Sequence, residues 1–85
     1  MSWSVWVESR AQSEILRLTP VERERVLERI ERLAENPFAG AVKLKGADPP
    51  LYRVRVGDYR VLFAVDGWRR LVLVTHVRHR REVYR

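Results

Sequence analysis

The stretch YRVRVGDYR, residues 52 to 60, has the pattern of a β-hairpin and carries three arginines. Gly57-Asp58 is a typical two-residue hairpin turn, and β-prone residues alternate on both sides of it. A turn at these two residues fixes which residues face each other across the strands. The predicted pairs are Val56 with Tyr59, Arg55 with Arg60, Val54 with Val61, Arg53 with Leu62 and Tyr52 with Phe63.

Strand alternation divides the hairpin side chains between two faces of the sheet. One face is apolar and is expected to pack under helices; its members are Tyr52, Val54, Val56, Tyr59, Val61, Phe63 and Val65. Arg53, Arg55 and Arg60 share the other face, where Arg55 lies directly opposite Arg60. Like charges opposed across strands destabilise a sheet by up to about 1 kcal/mol. We therefore interpret the three guanidiniums as a phosphate-binding site; the alternative is a solvated face kept soluble by arginine.

The remaining elements predict one α+β domain over residues 1–85, with the order β-α-α-β-β-β-β. Thr19-Pro20-Val21-Glu22 predicts a helix start with Thr19 as N-cap, Pro20 at the first helical position and Glu22 completing a capping box. Two amphipathic helices should cover one face of a mainly antiparallel sheet. The predicted strands are 3–7, 42–45, 51–56, 59–66 and 71–77, and the predicted helices are 9–18 and 19–35.

Charge is concentrated in the second part of the chain. Residues 1–36 carry 6 Arg and 7 Glu, a net charge of −1, whereas residues 37–85 carry 2 Lys and 9 Arg against 3 Asp and 1 Glu, a net charge of +7; together they give +6. This asymmetry favours a polyanionic partner, either nucleic acid or an acidic protein segment. The chain has no cysteine, and its apolar runs are too short to span a membrane, so we expect a cytoplasmic protein.

Residues outside the hairpin are also candidates for binding or for structural roles. Lys43 and Lys45 would lie on one side of an extended segment, either to contact phosphate or to discourage aggregation at a sheet edge. His76 shares strand alternation with Val72 and Val74 and is expected to be structural. Trp3 and Trp6 are expected to serve packing.

The hairpin and the final residues together resemble a known family. Leu51-Tyr52-Arg53-Val54-Arg55-Val56-Gly57-Asp58-Tyr59-Arg60-Val61, followed by a hydrophobic strand and His79-Arg80-Arg81-Glu82-Val83-Tyr84, is similar to RelE-type toxins of the RelE/ParE superfamily. The resemblance covers nearly the whole chain. It implies a RelE-like fold and a ribosome-dependent mRNA endonuclease that cuts A-site codons by attack of a 2′-hydroxyl, needs no metal or other cofactor, and is neutralised by a cognate antitoxin.

The resemblance also implies roles for particular residues. The family's basic strand positions fall on Arg53 and Arg55, its arginine after the turn on Arg60, its basic tail position on Arg80 and its terminal tyrosine on Tyr84. Arg78 and Arg81 are expected to add phosphate contacts. Where some relatives have a strand lysine as the base, this chain has arginine, which does not deprotonate. His79 is the substitute candidate, because the neighbouring arginines should keep it neutral.

Two other functions remain open at this stage. A ParE-like protein would share the scaffold but inhibit DNA gyrase and cut no RNA. A degenerate member would only bind an antitoxin. The arginine-rich hairpin and the terminal His-Arg and Tyr set favour the nuclease. For the antitoxin, we expect an acidic, amphipathic segment that crosses the sheet and occupies the arginines.

Overall fold

Two helices cover one face of a five-stranded mixed sheet in a computed structural model that describes residues 2–81. The elements are β1 (Ser4–Val7), α1 (Ser9–Leu16), α2 (Pro20–Leu33), β2 (Val42–Lys43), β3 (Leu51–Val56), β4 (Tyr59–Asp66) and β5 (Leu71–His79). The strand order in the sheet is β1-β5-β4-β3-β2. β1 runs parallel to β5 and every other neighbouring pair is antiparallel. The predicted α+β architecture is thus confirmed, and no helix within residues 2–81 is long and apolar enough to cross a membrane.

The helix boundaries follow from local chemistry around Thr19. Its hydroxyl accepts a hydrogen bond from the Glu22 N–H at 3.3 Å, and its own N–H donates to Glu22 Oε1 at 3.2 Å, so the predicted capping box is formed. α1 ends at Leu16, earlier than the predicted Leu18. Pro20 disfavours helical geometry at the residue before it, and Thr19 is indeed extended, with ψ 158°.

The core lies between the helices and the inner face of the sheet. Its buried side chains are Ala11, Ile15, Leu18, Val26, Ile30, Leu33, Val54, Val61, Phe63, Val72, Val74 and Val77. All predicted hairpin pairs are present, from Val56 with Tyr59 to Tyr52 with Phe63. The residues predicted for the apolar face all belong to this core or pack against it. The opposite face of the sheet, which we call the open face, carries the hairpin arginines.

β5 contains a bulge that changes which of its residues reach the open face. Leu62 pairs with His76 whereas Phe63 pairs with Val74, so Thr75 is an extra residue in β5. The Thr75 hydroxyl donates to the Leu62 carbonyl at 3.3 Å. Because of this extra residue, His76 points away from the core side of Val74. The expectation that His76 shares a face with Val72 and Val74 is therefore wrong.

Candidate functional site

Three arginines from three adjacent strands form a row across the open face. Arg55 of β3 pairs with Arg60 of β4, and Arg60 pairs with Arg78 of β5. Paired residues in an antiparallel sheet have Cα atoms about 4.5–5.5 Å apart, so the three side chains start close together. We call Arg55, Arg60 and Arg78 the arginine row. Arg53 lies on the same face, two residues from Arg55 along β3.

The row is held at one end by a glutamate from α1. Glu14 Oε2 lies 3.6 Å from the Arg78 Nε, and Glu14 Oε1 accepts a hydrogen bond from the Val77 N–H at 2.7 Å. β1 pairs with β5 only as far as Val74, so this carboxylate binds the edge of β5 beyond the parallel pairing. Glu14 and Arg78 are 19% and 32% exposed, which reduces solvent screening of their attraction.

A groove with further positive charge runs beside the row. It is lined by Arg53 and Arg55 of β3 and by Arg29 of α2. Burial lowers the pKa of Arg29, and the nearby charge of Arg32 lowers it further. One guanidinium nitrogen of Arg29 donates to the Ala39 carbonyl at 2.7 Å, which fixes the side chain at the wall of the groove.

The chain leaves β5 beside the hairpin turn. The Arg80 N–H donates to the Asp58 carbonyl at 2.7 Å, and the Arg80 Nε lies 3.7 Å from Asp58 Oδ1. Arg80 and Arg81 are both exposed. They come directly after β5, at the end of the sheet where the hairpin turn joins β3 and β4. Tyr84 lies outside the described residues.

His79 lies on the opposite face from the arginine row. It pairs with Tyr59, and the two rings make an edge contact with centroids 5.2 Å apart. Neighbouring residues of a strand point to opposite sides, so Arg78 and His79 diverge. The structure therefore does not bring His79 to Arg60 and Arg53, as a base acting beside them would require.

The two lysines are not brought to the arginines either. Lys43 pairs with Tyr52, a residue of the helix-covered side, and Lys45 begins the turn after β2. β2 ends at Lys43, so the extended segment that would align the two lysines is not formed. The expectation that they share one side of a strand is wrong, although both are exposed.

The tryptophans divide by face. Trp3 packs against Phe38, with ring centroids 5.8 Å apart, and under the guanidinium of Arg70 at 4.6 Å. Trp6, which was expected to pack, is 66% exposed and pairs with Leu73 on the open face. Trp68 is 96% exposed in the turn before β5.

Sequence reasoning missed Glu14 and His76. The His76 Nδ1 lies 3.3 Å from an Arg78 Nη and 3.8 Å from Glu14 Oε1. Nothing in the sequence marks Glu14 among seven glutamates of the first 36 residues. Residues 2–81 contain no group of three or more histidine, cysteine, aspartate or glutamate side chains placed to hold a metal ion.

Comparisons with known proteins agree with this fold. A protein of Methanocaldococcus jannaschii named "Putative toxin RelE1" is 29% identical over all of this chain and 98% of its own length. The archaeal RelE–RelB complex from Pyrococcus horikoshii contains a chain with TM-score 0.84 and 25% identity, covering 98% of this chain and 100% of that one. The RelBE2 toxin–antitoxin complex of Mycobacterium tuberculosis gives TM-score 0.85 at 22% identity, over 93% and 99% of the two chains, which shows the shared fold.

The family assignment rests on the sequence match. The model of the ParE toxin family, toxins of type II toxin–antitoxin systems of the parDE kind, matches residues 9–84. That range contains both helices, the hairpin and β5. The chain therefore belongs to the ParE toxin family, within the RelE/ParE superfamily of type II toxin–antitoxin toxins.

Proposed function

We propose that this toxin is an endoribonuclease that cuts mRNA in the ribosomal A site and so inhibits translation. The observation that carries the proposal is the arginine row with Arg53 beside it on the open face. Four guanidiniums on one sheet face match the geometry of a bent ribose-phosphate chain, because each presents a planar fork of donors to phosphate oxygens.

The chemistry requires positive charge near the phosphorus atom. A 2′-hydroxyl attacks the adjacent phosphate, negative charge builds on the non-bridging oxygens, and the bond to the 5′-oxygen breaks. Arg60 lies at the centre of the row, between Arg55 and Arg78, and is the natural stabiliser of that charge. Arg53 and Arg80 flank it. Tyr84 is proposed to stack on a base or to help move a proton.

The row is preorganised for this task. The backbone ladder of β3, β4 and β5 fixes its residues in register, so little reorganisation is needed when RNA binds. The cost is repulsion between like charges, about 0.2–1 kcal/mol for each directly opposed pair. An anion that enters the row removes this repulsion, and its affinity gains accordingly.

The proposed partners follow from the same face. Several relatives are toxin–antitoxin complexes, so an antitoxin partner is supported. We propose that the antitoxin is an acidic, amphipathic segment whose carboxylates occupy the row and whose apolar residues cover the adjacent, partly exposed Ala64; Leu62, the other apolar residue beside the row, is already buried in the free chain. A cytoplasmic location follows if mRNA on ribosomes is the substrate. A complex in which the antitoxin contacts only the solvated face of α2 would contradict this arrangement.

Primer extension on mRNA in a translating extract tests the nuclease. Wild-type protein should give cuts in phase with codons. Arg60→Ala should reduce cutting about 100- to 1000-fold, the usual effect of removing one charge-stabilising group, and Tyr84→Phe should also reduce it. Arg32→Ala removes the same charge from the exposed side of α2, beside Glu28 and Glu35, and should cut normally. DNA breaks that depend on gyrase, with intact mRNA, would instead identify a gyrase inhibitor.

A further inference from the structure

We propose that His76 is the proton acceptor for the attacking 2′-hydroxyl and that Glu14 is its positioning residue. This inference rests on the proposed nuclease activity and adds the group that the arginines cannot supply. It assigns a role to a side chain that the β5 bulge turns toward the arginine row.

The position of His76 is suitable for this role. It pairs with Leu62, while Arg78 pairs with Arg60, so the two pairs are successive positions on the open face. Residues two apart along a strand are separated by about 7 Å. A phosphate bound between Arg60 and Arg78 would thus have its ribose within reach of the imidazole.

The chemistry of the neighbouring side chains also favours His76 as the proton acceptor. The described residues of the open face on β3, β4 and β5 are Leu51, Arg53, Arg55, Arg60, Leu62, Ala64, Asp66, Leu71, Leu73, His76 and Arg78. Arginine stays protonated at any pH at which the protein is folded. Asp66 lies at the far end of β4, paired with Leu71. His76 is the member of this set with an imidazole, a group that in its neutral form has one ring nitrogen able to accept a proton.

Two polar neighbours of the His76 ring both approach Nδ1. Arg78 Nη2 lies 3.3 Å from Nδ1, and Glu14 Oε1 lies 3.8 Å from it. Nε2 is therefore the ring nitrogen that faces substrate in this proposal. Among residues 2–81, the charged groups at the ring are Glu14 from α1 and Arg78 from β5, and Arg60 of β4 lies in the neighbouring cross-strand pair.

The cluster links phosphate binding to activation of the base. In the free protein Arg78 donates to Nδ1, which places the proton of the neutral ring on Nε2. When a phosphate draws the Arg78 guanidinium away, Nδ1 can carry the proton and donate a hydrogen bond to Glu14, and Nε2 then presents a lone pair. A carboxylate that accepts from one nitrogen fixes the tautomer in which the other is the base. Glu14 is already fixed by the Val77 N–H at 2.7 Å.

The step balances as follows. Nε2 takes the 2′-hydroxyl proton, the 2′-oxygen forms a bond to phosphorus, and the bond from phosphorus to the 5′-oxygen breaks. The 5′-oxygen takes a proton from water, and the imidazolium later returns its proton to water. The products are a 2′,3′-cyclic phosphate and a 5′-hydroxyl.

Single-turnover cleavage of ribosome-bound mRNA by His76→Ala tests the assignment. The rate should fall about 100-fold or more, as expected for loss of a general base, and added imidazole should restore part of it. Imidazole should not restore Arg60→Ala. Thermal melting of each variant confirms that it is folded. Cleavage by His76→Ala at the wild-type rate, or a loss that imidazole does not relieve in a folded variant, would overturn the assignment.

Two further variants separate this idea from its alternatives. A loss in His79→Ala that imidazole relieves, with His76→Ala unaffected, would assign the base to His79. Glu14→Gln should lower the cleavage rate of the otherwise wild-type protein but should not lower that of His76→Ala any further, because a positioning residue acts only through the group it positions. Equal loss of rate in both backgrounds would indicate a structural role for Glu14. If wild type itself makes no cuts, the nuclease proposal fails, whatever His76 does.

Discussion

Replacing Arg55 by glutamine should make the protein more stable and a weaker RNA binder. Arg55 is the exposed end of the arginine row and lies directly opposite Arg60. Its charge repels Arg60 in the free protein, whereas in a complex with RNA it meets phosphate. The same substitution therefore has opposite effects on folding and on binding.

Both magnitudes follow from the geometry. Two like charges roughly 7 Å apart in water repel by about 0.6 kcal/mol, within the range of about 0.2–1 kcal/mol for directly opposed residues on neighbouring strands. In a domain of this size such a gain raises the melting temperature by about 2–5 °C. Loss of one charged hydrogen bond to phosphate, about 1.5–3 kcal/mol, should weaken RNA binding about 10- to 100-fold.

Thermal melts at low and high salt and RNA titrations over a range of salt check this prediction. The stabilisation should shrink at about 1 M salt, where the Debye length is about 3 Å. The slope of log affinity against log salt should fall by about 0.7 for each phosphate that the variant no longer neutralises. Arg32→Gln, which removes an exposed charge on α2 beside Glu28 and Glu35, should show neither effect. A lower melting temperature for Arg55→Gln, or an unchanged salt slope, would refute the reasoning.

Two predictions concern the scaffold. Phe63→Ala should lower the free energy of unfolding by about 3–5 kcal/mol in urea denaturation, because Phe63 is fully buried and stacks on Tyr52 with ring centroids 5.8 Å apart. Phe38 is half-exposed, and if Phe63→Ala destabilised the fold as little as Phe38→Ala, Phe63 would not have the central place in the core that we assign to it. Thr19→Ala should lower the free energy of unfolding by about 0.5–2 kcal/mol and reduce helical circular dichroism, since it removes the cap of α2. Thr19→Ser keeps the hydroxyl and should match wild type. Equal stability of the two variants would contradict the capping argument.

The hairpin and the start of α2 were predictable because their signals are local. Gly57-Asp58 sets the register of β3 and β4 without help from distant residues, and Gly57 has the positive φ of 58° that such a turn requires. Thr19 and Glu22 likewise bond to each other's backbone. Once the turn is fixed, the common face of Arg53, Arg55 and Arg60 follows from alternation alone.

The less accurate predictions depended on distant parts of the chain. The segment LVLVTHVRH, residues 71 to 79, alternates plausibly without a bulge, and the extra residue at Thr75 is evident only from its pairing with β4. Glu14 meets Arg78 across 64 residues of sequence, so no local pattern reveals their proximity. The error at Trp6 was avoidable, and the position of His79 on the face opposite the arginine row was foreseeable. Residues an odd number apart in a regular strand face opposite sides, so Trp3 and Trp6 cannot both pack inward, nor can Arg78 and His79 share a face.

The position of β5 between β1 and β4 also constrains when the toxin can become complete. While a nascent chain is still being elongated, β1 has no neighbour and the core lacks Val72, Val74 and Val77. Arg78 is likewise missing, so the arginine row is incomplete until β5 has left the exit tunnel. The ribosome that synthesises this protein is thus not exposed to the complete arginine row before β5 has been translated.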